Sequence, residues 1–307
     1  MNAFIVLLEE MLVLYCILIF GWLAQRFKLL PPMSKLVFTR LLLYVTLPCL
    51  IVSSMHLSFE YERVYAVITL IVMSFLFLSI TLLYGRWLSK ALQLPDYRSG
   101  VFKNLLLFGN QGFIGVAVVF QLFGHEGMFL AAVFNLVYFI LIWTYGIAVM
   151  NAPTPPVWKN PGLIATVIGL VFFFLPISLP VALLASIDAI GQMTIPLSMI
   201  VIGVILSDQR WRSLASLLKD RLLWFAVSHR LLILPLLIFL PLVLLDIPFQ
   251  WLAVGVLLSA TPCAPTISLY SELYGGDTPF ASVAVVLTTL LAAFTLPLLY
   301  LIFLALT

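Results

Sequence analysis

Long apolar runs alternate with short polar joints along the whole chain. A helix that crosses a bilayer takes roughly 20 mostly apolar residues. Ten such segments follow from the pattern, near residues 4–24, 36–56, 64–88, 100–123, 127–150, 161–179, 182–206, 221–245, 249–274 and 279–304. The joints carry residues that stop helices: Pro31-Pro32, Leu94-Pro95-Asp96, Gly124-His125-Glu126-Gly127, Pro153 to Pro156, and Gly275-Gly276-Asp277. The longest polar joint, 207–220, predicts a short surface helix, and no joint has the length of a soluble domain. The first run holds Glu9 and Glu10 and continues to Ala24 with no basic start and no small-residue cleavage site. It therefore predicts a first span rather than a removable signal peptide.

Composition sharpens this reading. Of 307 residues, 64% are hydrophobic and 9% charged, against roughly 25% charged in a soluble domain. In water such a chain would expose large adhesive patches; in lipid it is at home. Sixteen glycines and 18 prolines fit membrane helices better than soluble ones. The net charge of +3 comes from basic residues scattered between apolar runs, so no stripe for nucleic acid forms. Cys16, Cys49 and Cys263 all lie inside apolar runs and build no disulfide framework.

Basic residues orient the spans, because Lys and Arg accumulate on the cytoplasmic side. With the N-terminus outside and the spans alternating, the cytoplasmic joints and helix ends hold Arg26, Lys28, Lys35, Arg40, Arg86, Lys90, Arg98, Lys103, Lys159, Arg210, Arg212, Lys219, Arg221 and Arg230. The external side keeps only Arg63. A missed or invented helix would swap the sides of everything after it. This asymmetry therefore predicts ten spans with both termini on the non-cytoplasmic face.

The pattern repeats within the chain. Thr46-Leu47-Pro48 in the second span corresponds to Thr194-Ile195-Pro196 in the seventh, at an offset of 148. Leu122-Phe123-Gly124 corresponds to Leu273-Tyr274-Gly275 at 151. Residues 1–150 then form a first five-helix repeat, 151–160 a cytoplasmic connector, and 161–307 a second repeat. Five is an odd number, so the second repeat lies inverted, an arrangement common in secondary transporters.

Two spans contain poor helix interiors. The fourth holds Gly109-Asn110-Gln111-Gly112-Phe113-Ile114-Gly115, and each Gly costs about 1 kcal/mol relative to Ala. The ninth holds Ser259-Ala260-Thr261-Pro262-Cys263-Ala264-Pro265-Thr266, where two prolines remove two backbone donors. At the offset of 151, Asn110 falls on Thr261 and Gln111 on Pro262, so both helices are weakened at one level near the bilayer middle. Irregular backbone there must be buried in protein or line a water-filled cavity. A break also creates a new helix N-terminus, whose free N–H groups suit an anion. Asn110, Gln111, Gly112, Thr261, Pro262, Cys263 and Thr266 are the candidate residues for binding a small carboxylate. No Lys or Arg is expected at this level, so amides and helix ends would hold the anion. The bland alternative is a pair of kinks that serve packing alone.

Other polar residues are weighed singly. Asp188, in the outer part of the seventh span, either carries a coupling proton or cation or sits in a short external loop. Pro48 and Pro196 kink their spans, and their neighbours Tyr44, Thr46, Gln192, Thr194 and Ser198 either face the site or bond adjacent helices. Asn135, Tyr138 and Trp143 in the fifth span present the same choice. Glu9, Glu10 and Glu272 read as interfacial, and His56, His125 and His229 fall at span ends. There is no phosphate-binding loop, no His-Glu-x-x-His, no metal-ligand cluster and no paired intramembrane aspartates. The sequence thus predicts no cofactor, no metal and no enzyme.

Several of these motifs together resemble the auxin efflux carrier family of transporters. They are Gly21 to Met55 with Arg26, Leu29-Leu30 and Leu47-Pro48; Gly109 to Gly115; Trp143-Thr144-Tyr145-Gly146; Asn160-Pro161; Ile195-Pro196-Leu197 with Gly203; Leu273 to Asp277; and Leu296-Pro297. The resemblance runs in order over nearly the whole chain, and the short 151–160 joint is similar to compact bacterial members of an inner membrane. It implies an all-α membrane protein of ten helices in two inverted sets of five, with the broken fourth and ninth crossing at the substrate site. It also implies a scaffold set, a moving set and an elevator-like motion, with organic acids as substrates: auxin in plants, malonate or malate-like acids in bacteria. The family's asparagine maps to Asn110 and its crossover proline to Pro262; where many members have a further proline, this chain has Ala117. The coupling ion stays open, as does assembly as a homodimer. The rival readings are a sodium-coupled symporter similar to bile-acid carriers, which sodium dependence of flux would reveal, and a sensor that binds ligand without flux.

Overall fold

The computed structural model describes residues 2–31, 33–56, 61–154, 156–175, 179–207 and 217–307. The surface helix expected at 207–220 falls mostly outside these, as do Arg210, Arg212 and the side chain of Glu10. Among the described residues the regular structure is helical. We number the helices α1 (Asn2–Arg26), α2 (Ser34–Ser54), α3 (Tyr61–Ala91), α4 (Asp96–Leu107), α5 (111–123), α6 (125–148), α7 (Pro161–Phe174), α8 (Val181–Ser207), α9 (Arg221–Leu244), α10 (Phe249–Ser259), α11 (Pro265–Tyr274) and α12 (Thr278–Leu306). Helices α5 and α6 form one stretch, Gln111–Ala148, broken at Gly124, which takes φ 58° and ψ −145°. Among the described residues, six stretches can cross a membrane by length and composition: Ser34–Ser54, Arg63–Ala91, Gln111–Ala148, Val181–Ser207, Arg221–Leu244 and Thr278–Leu306. Pro161–Phe174 and Phe249–Ser259 are apolar but shorter.

Proline shapes several of these helices. A proline inside a helix clashes with the carbonyl four residues earlier and leaves it unbonded. In α2 the chain widens into a π turn over Leu42–Thr46, which contains Tyr44, four residues before Pro48. In α9 a π turn over His229–Ile233 contains Leu231, four residues before Pro235. The wide turns take up the clash and bend the helices there. In α8 the helix is interrupted at Met193, and Pro196 lies in the first turn of Thr194–Ser207.

The helices pack in two groups. Helices α1, α2, α7 and α8 adhere to one another, and α3–α6 and α9–α12 form the other group. Small residues bring the first group to backbone contact. A side-chain carbon on Gly203 would lie 2.1 Å from the carbonyl of Leu18, and one on Gly21 would lie 2.5 Å from that of Ile200. Such contact supplies van der Waals attraction where the hydrophobic effect is silent between helices in lipid. The outer surface is apolar, with Phe27, Tyr65, Trp87, Leu237 and Phe294 exposed, as a lipid-facing belt requires.

Polar residues staple the two ends. Arg98, near the start of α4, donates from Nε to Asp277 at 2.7 Å and from Nη1 to Asp220 at 3.0 Å. Each carboxylate also caps a helix: Asp220 accepts from the N–H of Leu222 at 2.9 Å, Asp277 from that of Phe280 at 3.1 Å. Partial burial opposes the charge on Arg98, but the hydrogen bond and charge of Asp277, with Asp220 behind it, outweigh this and raise Arg98 above the ordinary arginine range. Near the joint of α5 and α6, Arg63 meets Glu126 at 3.3 Å, and His125 Nε2 lies 3.6 Å from Asp188. The motif residues Asn160-Pro161 start α7: the Asn160 side chain accepts from Gly162 N–H at 2.9 Å, and proline fills the first helical position. Gly275 ends α11 at φ 76°, and the N–H of Gly276 closes onto the carbonyl of Ser271 at 2.8 Å.

Candidate functional site: two interrupted helices

Helix α4 ends at Leu107 because Phe108 turns extended, at φ −107° and ψ 107°. Helix α10 ends at Ser259, and Ala264 is extended at φ −68° and ψ 133° before α11 begins at Pro265. The two unwound stretches lie antiparallel and pair like a fragment of sheet, Gly109 opposite Cys263. The N–H of Asn110 donates to the carbonyl of Pro262 at 2.6 Å, and that of Ala264 to Phe108 at 3.1 Å. The two breaks thus satisfy part of each other's backbone, which irregular chain inside a membrane protein must achieve.

The two prolines account for the remaining bonds. Pro262 cannot bond the carbonyl of Leu258, and the Thr261 hydroxyl donates to it instead at 2.8 Å. Pro265 cannot bond the carbonyl of Thr261, and Arg230 Nε donates to it at 3.0 Å. Arg230 Nη1 reaches the carbonyls of Leu106 at 3.2 Å and Leu107 at 3.4 Å, the last of α4, and Nη2 reaches Thr261 Oγ1 at 3.2 Å. Its side chain is fully buried. This corrects the expectation that no Lys or Arg lies at this level and that Arg230 sits at a cytoplasmic helix end. Arg230 is nine residues past Arg221, about 14 Å along the helix. The signal for it was present: an ionisable residue well inside a span is a functional hypothesis whether acidic or basic. What hid it was its place in α9, a helix that reads as an ordinary span with a basic start.

Gly109 makes this assembly feasible. A side-chain carbon there would fall 1.8 Å from Arg230 Nη2 and 2.2 Å from Thr261 Oγ1. Its carbonyl accepts from the Tyr138 hydroxyl at 2.8 Å, and Phe108 packs edge-on to the Tyr138 ring. Thr288 Oγ1 accepts from the N–H of Cys263 at 3.0 Å, and the buried Cys263 thiol lies 3.5 Å from the carbonyl of Leu105. The hydroxyl of Thr261, the carbonyl of Pro262 and the N–H of Cys263 are therefore engaged within the protein.

The unengaged groups lie where the second half-helices begin. Asn110 Nδ2, both amide atoms of Gln111 and Thr266 Oγ1 are buried with no hydrogen-bond partner, as is Asn135 Oδ1 on α6. A side-chain carbon on Gly112 would meet nothing within 4 Å, so space opens beside this turn. A buried polar group without a partner costs about 1–3 kcal/mol, and those of Asn110 and Gln111, next to the space at Gly112, are suited to a polar solute. The first N–H groups of α5 add donors and partial positive charge, as does the start of α11, where Pro265 has no N–H and that of Ile267 is taken by Ala264.

The outlying candidates divide. Thr46 and Thr194 are buried, Thr194 Oγ1 has no partner, and the Thr194–Ser207 part of α8 packs on the turns Gln111–Gly115 and Leu42–Thr46. Pro48 lines an apolar cavity of about 330 Å³ with Tyr44, Cys49 and Ile187. Pro196 is exposed, and Asp188 lies in α8 beside His125, bonded to Gln192 at 2.7 Å. Among the described residues no three His, Cys, Asp or Glu groups could hold a metal ion.

The family described as membrane transport protein matches this chain over residues 6–159 and 156–300, nearly its whole length. No curated protein matches it.

Proposed function

Because the chain belongs to the auxin efflux carrier family of membrane transport proteins, we propose that this transporter carries small organic acid anions, mono- or dicarboxylates, across a bacterial inner membrane. The observation that carries the substrate class is the crossing. Asn110 and Gln111 present buried, unpartnered polar atoms next to Gly112, beside which space opens, and Thr266 presents another, each at the N-terminal end of a half-helix. Amide donors and helix N-termini favour a carboxylate, and no acidic side chain is among these groups. Residues 1–150 and 161–307 act as inverted repeats around the connector 151–160, giving ten spans with the crossing near the bilayer middle and both termini outside. Helices α1, α2, α7 and α8 serve as scaffold, and the group carrying the crossing moves against them in an elevator-like alternation. The packing of the helices in these two groups supports this division. The direction is export or exchange, and a homodimer is compatible with the apolar outer surface.

Purified protein in proteoliposomes tests this. Preloaded radiolabelled malonate or malate should exchange with external unlabelled acid, and Asn110→Ala should reduce exchange at least tenfold at unchanged protein content. Absence of exchange for a panel of mono- and dicarboxylates, or equal exchange by the variant, would overturn the assignment.

A further inference from the structure

The carbonyl ends of the two first half-helices converge on one side of the crossing. Those of Leu106 and Leu107 close α4, and that of Thr261 follows α10. Helix C-termini carry partial negative charge, and broken helices in carriers commonly use such carbonyls to coordinate a metal cation. Here the place is taken. The Arg230 guanidinium donates to all three carbonyls and to Thr261 Oγ1. Its planar fork serves diverging acceptors that a lysine ammonium could not serve together.

No carboxylate pairs with Arg230 among the described residues. A buried charge bonded only to neutral groups is costly and leaves the region net positive. The carbonyls lower that cost but do not cancel the charge. Gly109 reports how closely the parts are fitted, since any side chain there would overlap Arg230.

We infer that Arg230 is a resident cation of the crossing, a positioning residue that fills the carbonyl cluster a coupling metal ion would otherwise occupy and whose unpaired charge is balanced by the bound anion. This rests on the reading of the crossing as the transport centre. It makes sodium dispensable: the wild-type protein already holds its cation, and an arriving monoanion neutralises it. It also sets this chain apart from a sodium-coupled symporter of similar plan.

The test compares purified wild type, Arg230→Ala and Arg230→Lys by thermal unfolding in choline, sodium and guanidinium chlorides at about 10 mM, alongside carboxylate exchange in proteoliposomes. Wild type should unfold at the same temperature and exchange at the same rate with sodium or choline. Arg230→Ala should unfold about 5–10 °C lower, with part of that loss regained in guanidinium or sodium and none in choline, because a ligand that fills the vacated cluster stabilises the folded form. Arg230→Lys, which keeps the charge but not the fork, should fall between the two and exchange more slowly than wild type. Sodium-dependent stability or flux in wild type would overturn the inference, and so would an identical response of wild type and Arg230→Ala to guanidinium. If Arg230→Ala does not fold, the wild-type sodium comparison and Arg230→Lys still decide. The unfolding measurements need no transport. A cation-specific gain in Arg230→Ala without any carboxylate exchange would uphold the resident cation while removing the carrier assignment.

Discussion

The backbone N–H of Asn110 donates to the carbonyl of Pro262 at 2.6 Å, while the amide nitrogen of the Asn110 side chain is buried without a partner. One residue thus divides its duties: its main chain joins the two breaks and its side chain is left for something else. Asn110→Ala keeps the first and deletes the second. It should unfold within about 1 kcal/mol of wild type, since no internal side-chain bond is lost, and lose at least tenfold in carboxylate exchange. Thermal unfolding and proteoliposome exchange on the same preparation check both halves.

Gly109 and Gly112 stand three residues apart and predict opposite outcomes. An added methyl at Gly109 would overlap Arg230 and the Thr261 hydroxyl, at 1.8 and 2.2 Å. Because Arg230 is fully buried, it cannot swing aside, and overpacking of this kind costs about 1–3 kcal/mol or more. Gly109→Ala should express poorly or unfold at least 5 °C lower, roughly in line with that cost. Gly112→Ala meets nothing within 4 Å, so it should fold normally and weaken carboxylate binding by occupying the space beside Gln111. Unfolding temperature and ligand-induced stabilisation separate the two.

Arg98 joins α4 to the starts of α9 and α12 through Asp220 and Asp277. The Asp277 side chain is 11% exposed and that of Arg98 is 24% exposed, so water screens the pair only in part. Asp277→Ala removes both a helix cap and the charge partner and should cost about 2–4 kcal/mol. Asp277→Asn keeps a capping oxygen and should cost less than half of that. The ordering of the two variants in thermal unfolding is the check; equal losses would mean that the charge, not the cap, matters.

His125 and Asp188 lie 3.6 Å apart, and Ser54 Oγ meets the other ring nitrogen at 3.2 Å. These contacts join α2 and α8, of one packing group, to the joint of α5 and α6 in the other. With side chains 41% and 30% exposed, the pair adds less than about 1 kcal/mol to stability. A weak clasp between two bodies affects how easily they part. Asp188→Asn should therefore leave carboxylate affinity within about twofold and speed exchange. A loss of affinity instead would return Asp188 to the binding site.

What the sequence determined by itself is everything that depends on local composition and order. Apolar runs of spanning length, breakers at the joints and the weakness of two helices around Gly109–Gly115 and Thr261–Pro265 follow from side-chain solubility and from prolines that cannot donate. These effects act within a few residues and are written along the chain. The family motifs gain physical meaning in the same way, as Asn160-Pro161 starts a helix and Gly275-Gly276-Asp277 ends one and caps the next.

Only the tertiary structure decided which polar groups meet. Thr261 and Cys263, read as ligands for a solute, turn out to spend their hydroxyl and N–H on Leu258 and Thr288. Asp188 belongs with His125. Arg230, read as a helix-end charge, lies against carbonyls of Leu106 and Leu107, more than 120 positions earlier. A proline two helices away frees the Thr261 carbonyl that Arg230 takes, and a missing Cβ at Gly109 makes the room. Those conditions concern distances across the fold, and no local pattern encodes them.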